Sequence, residues 1–248
     1  MLLAATFSDS LRKLADDFVT AFLTDNRWKY IVSGIGNTLV LTFFALILGI
    51  VLGIVIAAIR STYDKQYAEM RPGVGRVLLK ISNAVCKIYL TVIRGTPVMV
   101  QILIMFFIIM ASSRNKMLCG VIAFGMNSAA YVAEIIRGGI MSIDPGQMEA
   151  GRSLGLNYIS TMRYIILPQA FKSILPSLAN EFISLLKETA VAGYVGVTDL
   201  TRGANIIRGV TYQDFWPLLS IAGIYLAMVM FFTWLVGKLE RRLKNSER

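Results

Sequence analysis

Five apolar blocks, separated by polar and mostly basic stretches, set the pattern of this chain. Ile31 to Ile59 is the first, and it is long enough to cross a bilayer with tilt, since about 20 apolar residues suffice. Within it Ala45, Gly49, Gly53 and Ala57 recur at every fourth position, which predicts a face for close helix packing rather than for ligand binding. The second block, Val77 to Ala111, is interrupted at Arg94-Gly95-Thr96-Pro97. Two spans here would leave a short second piece and move the loop around Glu149 to the outside. One long or broken helix keeps the basic loops inside, so the charge pattern favours it. Lys80, Ser82, Asn83 and Lys87 place its start in the interface. Met117 to Ile143 is the third block, Phe171 to about Ala192 the fourth, with a kink predicted at Pro176. Phe215 to Val236 is the fifth, with Trp216 and Trp234 near its ends.

The intervening stretches complete an all-α integral membrane architecture. Ser8 to Leu23 sets Leu11, Leu14, Ala15, Phe18 and Phe22 against Asp9, Arg12, Lys13, Asp16 and Asp17, an amphipathic helix for the membrane surface. Trp28 and Tyr30 follow as interfacial anchors. The hydrophilic Arg60–Arg76 stretch and the tail with Lys238, Arg241, Arg242, Lys244 and Arg248 belong in the cytosol; glycine-rich 193–214 belongs outside with some short helix. The expectation is an interfacial segment over 1–30, a five-helix domain over 31–237 and a basic tail over 238–248, N-terminus outside and C-terminus inside. No cleavable signal peptide is apparent in residues 1–25, which lack an apolar core.

Of the 248 residues, 56% are hydrophobic and 16% charged, which sets the chain apart from soluble domains. The net charge of +10 sits beside apolar blocks, where it obeys the positive-inside rule, so no nucleic-acid partner is expected. There is no histidine, hence no His-based metal site or catalytic triad, and Cys86 and Cys119 match no zinc pattern. No metal site and no catalytic residue is assigned; the chain is not read as an enzyme. The only Gly-Lys pair, Gly237-Lys238, is followed by Leu and lacks the upstream glycine of a phosphate-binding loop. If ATP drives this protein, a separate subunit must hydrolyse it.

The polar stretch from Asp144 to Pro168 organises the rest. Asp144 suits an N-cap, Pro145 the first helical position and Gln147 the place of a capping-box partner. That predicts a short helix ending at Gly155 in the left-handed conformation. A second turn of helix is predicted over Tyr158–Ile166, broken where Leu167 precedes Pro168. Ala150, Gly151 and Gly155 make one face nearly flat, open to close approach by another protein. Inside the apolar blocks Arg94, Glu134, Arg137, Glu181 and Lys187 are functional candidates, because charge in lipid is costly. Glu134 and Arg137 are three apart and can instead pair with each other; Lys187 and Glu188 can snorkel outward. Asn127, Ser128 and Tyr131 either line a cavity or hydrogen-bond another helix.

Glu149, Ala150, Gly155, Ile165, Leu167 and Pro168 match the spacing of the EAA loop of ABC-importer permeases, with Gly151 in place of the second Ala. Arg94-Gly95-Thr96-Pro97 with Gln101 resembles the RGTP signature of polar amino-acid permeases. Ser128-Ala-Ala-Tyr-Val-Ala-Glu134, Arg137-Gly-Gly-Ile140 and Lys187-Glu188-Thr189 are similar to the same family, with Ala190 where Ser is usual. The likeness covers about residues 30–240. It implies the type I importer permease fold, paired with a second permease (identical or homologous) over two ATPase subunits and served by an extracytoplasmic amino-acid-binding protein. It implies that ATP and Mg reside on the ATPase, no cofactor being bound by this chain, and that the setting is a bacterial cytoplasmic (inner) membrane with its lipid. The ATPase-coupling residues would be Glu149, Ala150, Gly151, Gly155, Leu167 and Pro168, on a loop of about 144–168. The substrate pathway would include Asn127, Ser128, Tyr131, Glu134 and Arg94.

Two other classes stay open on residues alone: an ion-gradient transporter, from Glu134 and Glu181, and a membrane scaffold, from the small-residue faces. The absence of an internal repeat weighs against the first.

Overall fold

The computed structural model describes Asp9 and residues 12–245, and all regular structure among them is helical. Helix α1 (Trp28–Gln66) is followed by α2 (Val74–Gly95), α3 (Val98–Ile104), α4 (Lys116–Met141), α5 (Pro145–Ser153), α6 (Tyr158–Thr161), α7 (Leu167–Glu188), α8 (Leu200–Thr211) and α9 (Phe215–Asn245). Three of them, α1, α4 and α9, are long and apolar enough to cross a membrane, and α2 with the α3 segment through Ile109 forms one bent pair, turned by 110°. The break falls in the Arg94–Pro97 stretch, so this block is a broken helix. α7 has 22 residues, long enough to cross, but Lys172, Glu181, Lys187 and Glu188 interrupt its apolar character.

α1 and α4 form the heart of the bundle. Ala45, Gly49, Gly53 and Ala57 are all buried, and α4 lies directly on the two glycines. A Cβ at Gly49 would come within 3.0 Å of Ser128, and one at Gly53 within 2.6 Å of Val132. Small residues here let two backbones approach, and dispersion between them replaces the hydrophobic drive that lipid removes. Beside this seam Leu41, Ile102, Phe106, Phe124, Leu185 and Val197 close a core to which α1, α3, α4 and α7 all contribute.

α1 runs seven residues past Ile59, because Arg60 to Gln66 holds no Gly or Pro to interrupt it. Residues 12–18 are helical and Val19–Leu23 ends that segment in a wide π turn. Ser8, Leu11 and Arg248 lie outside the described residues. The segment is anchored to protein as well as facing outward: Ala21 and Phe22 are buried beside Leu200, Ile207 and Ile221. Phe18 packs edge-on to Trp216 at 5.3 Å, and the Trp216 indole donates to the Leu14 carbonyl at 2.9 Å. The basic tail is not a separate element, since α9 continues through Gly237 to Asn245.

The second helix of the Asp144–Pro168 stretch departs from the sequence expectation. Leu167 is helical (φ −61°, ψ −41°) and no break occurs before Pro168. Met162–Ile166 widens into a π turn in which the Leu167 N–H reaches the Met162 carbonyl. That wider turn makes room for the proline ring and its missing donor, so α6 passes directly into α7. Pro176 likewise sits inside α7 without ending it.

Candidate functional site

Two groups of residues singled out by the sequence are assembled here, one in the α5–α6 loop and one along α4. In the loop, the Asp144 carboxylate accepts from the Gly146 N–H at 2.8 Å and Pro145 opens α5. Gln147 does not close a capping box; its side-chain oxygen instead lies 3.5 Å from the Gln169 amide. At the other end the Leu156 N–H reaches the Gly151 carbonyl (3.1 Å) and the Gly155 N–H the Arg152 carbonyl (3.0 Å). This is a Schellman stop, and Gly155 adopts the φ of +83° that it demands.

Glu149, Ala150, Gly155, Leu167 and Pro168 are exposed, and so are Leu154 and Ile159, at 81% and 74%. Apolar side chains held this far out of a folded loop present a contact surface. Gly151 is turned the other way: it is buried, and a Cβ there would lie 2.5 Å from the Thr161 methyl. Its small size serves the packing of α5 on α6, not an outward flat face. A cleft of about 800 Å³ runs between this loop and the end of α1, lined by Lys65, Glu69, Met148, Glu149, Arg152 and Tyr158 among others. Arg152 bridges it to Glu69 at 3.3 Å. Burial pushes the Tyr158 phenol up, so it faces the cleft as a neutral group.

Along α4 the polar residues do not converge on one cavity. Asn127 is buried and donates to the Gln101 side-chain oxygen at 2.9 Å. Ser128 is fully buried and donates to Glu181 of α7 at 2.8 Å. Nearly two turns further, Glu134 receives Arg137 at 3.0 Å and Arg94 at 3.9 Å, while Arg137 also reaches Asp64 at 3.5 Å. The Arg94 guanidinium stands 5.8 Å from the Tyr131 ring. Arg94, Tyr131 and Glu134 therefore meet, half-exposed, where the bent α2–α3 pair touches α4; Asn127 and Ser128 hold neighbouring helices instead.

Gln101 is the residue whose role the sequence left unassigned. Its amide donates to the Ile93 carbonyl (2.7 Å), the Thr96 carbonyl (3.0 Å) and the Thr96 hydroxyl (2.8 Å). It thus satisfies carbonyls that the broken helix leaves open, and its oxygen ties the elbow to Asn127. Tyr89 adds a hydroxyl bond to the Met126 carbonyl. The signal was present, in a Gln four residues after a helix-breaking Pro, but its partner on α4 is 26 residues away. Asp64 was missed for the same reason.

At the opposite end, Asp199 caps α8 by accepting from the Arg202 N–H at 2.8 Å. It is fully buried, and that burial pushes its carboxyl up to about 6, against the lowering effect of the N–H donors. Thr38 of α1 accepts from the Leu200 N–H at 3.0 Å, and the Asn37 amide donates to the Thr198 carbonyl at 2.7 Å, so the α7–α8 connection is fastened to α1.

Residues 73–245 match the model of the binding-protein-dependent transport system inner membrane component family. The chain belongs to this family. Among its relatives, the arginine transport system permease protein ArtQ of Bacillus subtilis is 35% identical over 222 residues, 88% of this chain and 94% of ArtQ. The glutamine transport system permease protein GlnP of Escherichia coli is 37% identical over 170 residues, 66% of this chain and 77% of GlnP. A crystal structure of an amino acid ABC transporter with histidines superposes with a TM-score of 0.77 at 42% identity, covering 89% of this chain and 98% of that one. The inward-facing MetNI methionine ABC transporter, at 18% identity and a TM-score of 0.69 over 87% of this chain, shares the fold. The family's inner membrane component is the permease of an ABC importer, a transport subunit that leaves ATP hydrolysis to a separate ATPase.

Proposed function

We propose that this permease translocates a polar amino acid across the bacterial cytoplasmic membrane, driven by an ATPase docked on the α5–α6 loop. The observation that carries the reading is the loop itself: a capped helix with a Schellman stop, braced from within by Gly151 on Thr161 and offering Leu154 and Ile159 to a partner. A rigid element of this kind transmits a push instead of absorbing it. ATP and Mg belong to the ATPase, and a second permease, identical or homologous, completes the pathway. α7 counts as the fifth crossing helix, which sets the N-terminus outside and the C-terminal end of α9, with the α5–α6 loop, in the cytosol. An amino acid as substrate is supported by the likeness to ArtQ, an arginine permease, and GlnP, a glutamine permease. Arg94, Tyr131 and Glu134 lie on the proposed path, where a zwitterion meets both charge signs, with Asn127 and Ser128 behind them setting the helices.

The test is affinity purification of the chain from its native membrane in mild detergent. An ATPase in roughly equal amount is expected; a chain that comes alone from several detergents, or that imports amino acid unaided under an ion gradient, overturns the reading. Gly155→Asp places a charge on the docking face, and an inserted variant that still held the ATPase and transported normally would count equally against it.

A further inference from the structure

Among the described residues Asp199 is the only acid that is fully buried. Its Oδ1 accepts from the Arg202 N–H at 2.8 Å, while its Oδ2, also buried, has no hydrogen-bond partner among them. The Tyr225 hydroxyl of α9 is buried without a partner as well. It faces Thr38 of α1 and Thr201 of α8 and lies within the field of the Asp199 carboxyl. Three helices thus bring one carboxyl and three hydroxyls together, and two of these groups are left with bonding capacity to fill.

The place is tight. A Cβ at Gly193, in the Thr189–Val195 turn, would sit 2.5 Å from Asp199 Oδ1, and one at Gly34 would sit 2.9 Å from the Asp199 carbonyl. A metal cation needs about six oxygens around it and room between them; a proton needs neither. The charged and titratable groups on the surrounding elements are few. α1 presents Gly34, Asn37 and Thr38, none of which titrates, and α9 presents Tyr225. The Arg202 side chain of α8 is exposed, Lys116 of α4 lies over Gly196 at the far end of the turn, and Glu188 precedes the turn. None of these charges sets the state of Asp199; burial does, moving the carboxyl from 3.8 to about 6 against the pull of the Arg202 and Thr201 N–H groups. A buried carboxylate with one oxygen unpaired is costly, and a proton both removes the charge and turns that oxygen into a donor.

We propose that Asp199 is a proton site of the outer end, a clasp that holds α8 and the Thr189–Val195 turn on α1 and α9 when it takes a proton from the outer medium and loosens when it gives the proton up. The reading above is needed only for which side of the membrane supplies the proton. Asn37 and Thr38 fasten the same connection to the start of α1, so the proton sets how firmly that helix is held at its outer end. Closed, the carboxyl titrates at about 6; opened to water it returns to 3.8, so the closed form binds the proton more tightly. The clasp is therefore strongest below about pH 4, weakens about tenfold per unit as the pH rises toward 6, and changes little above about 7.

The test is hydrogen exchange at the Arg202 and Gly203 amides, which bond to the Asp199 side chain and carbonyl. The whole transporter is used, in right-side-out membrane vesicles of fixed internal pH. Corrected for the intrinsic pH dependence of exchange, protection is expected to rise about twentyfold as the outer pH falls from about 7.5 to about 4.5. Asp199→Asn keeps the cap and carries a permanent donor, so at every pH it should be protected as the unaltered chain is in acid. Asp199→Ser, a cap that cannot titrate, is the second variant should the first fail to insert, and its protection should be lower and flat. A flat response of the unaltered chain, a pH response that survives in either variant, or protection that follows sodium concentration instead of pH overturns the proposal. A response to the inner pH alone overturns the outward placement of this turn while the clasp itself stands, which tells the two failures apart.

Discussion

The α5–α6 loop and the α2–α3 elbow are both abrupt changes of chain direction, and they are built by opposite means. In the loop the turn is written into neighbouring backbone: an Asp144 cap, a Schellman stop at Gly155, and Gly151 seated on Thr161 ten residues later. In the elbow the 110° bend is clasped by side chains: its own Gln101 sits on the open carbonyls, and from α4 Asn127 holds Gln101 while Glu134 faces Arg94. Local construction makes a stiff part. Long-range construction makes a part whose shape depends on where α4 stands, which suits the place proposed for the elbow beside the substrate path.

That contrast can be tested by substitution. Gly151→Ala should have the largest effect, about 1–3 kcal/mol, because its methyl meets the Thr161 side chain. Hydrogen exchange of the loop amides should read the loss, and Thr161→Ala in the same chain should restore most of it; a double variant as weak as the single would mean the two residues do not share one site. Gly155→Ala is next, at about 1–2 kcal/mol, since no atom crowds the position and only the left-handed backbone is penalised. Its loss should be independent of Thr161, and strong coupling between the two would undo the account of the loop as cap plus contact.

At the elbow, a double-mutant cycle of Gln101→Ala and Asn127→Ala should give a coupling of about 1 kcal/mol, modest because bonds between helices in lipid are worth little more. Measured with the ATPase present, that coupling should differ between nucleotide-free and ATP-bound states, whereas the Gly151–Thr161 coupling should not. Equal response of both pairs would erase the distinction between stiff and rearranging parts. The smallest effect is expected for Glu69→Ala. The Arg152 pair is exposed on both sides and should contribute under about 1 kcal/mol, lost further in salt.

The same division explains what the sequence made legible. Asp144, Pro145 and Gly155 act within their own turn, so their roles could be read from spacing alone, as could the four-residue rhythm of Ala45, Gly49, Gly53 and Ala57. The break at Arg94–Pro97 was visible for the same reason. The passage of α6 into α7 was not, because a proline normally marks a boundary and a π turn that accommodates it leaves no pattern in residue types. Nor were the partners of Gln101, Glu134 and Ser128 on other helices, since neither 26 nor 53 residues of separation leaves a period to detect. Polar residues in mid-block stood out in the sequence, but which neighbouring helix each one bonds depended on the packing.

α1 is far longer than a membrane crossing requires. Its 39 residues are unbroken and make a rod of about 58 Å, roughly twice the hydrocarbon thickness of a bilayer. Near its start it is pinned to the α8 end through Asn37 and Thr38, and near its finish it is tied to α4 by the Asp64–Arg137 pair. A tilt of a few degrees imposed at one water surface therefore reappears as a displacement of several ångströms at the other. News of ATP on one side can reach the doorway on the far side through a single girder, with no relay of small side-chain movements in between.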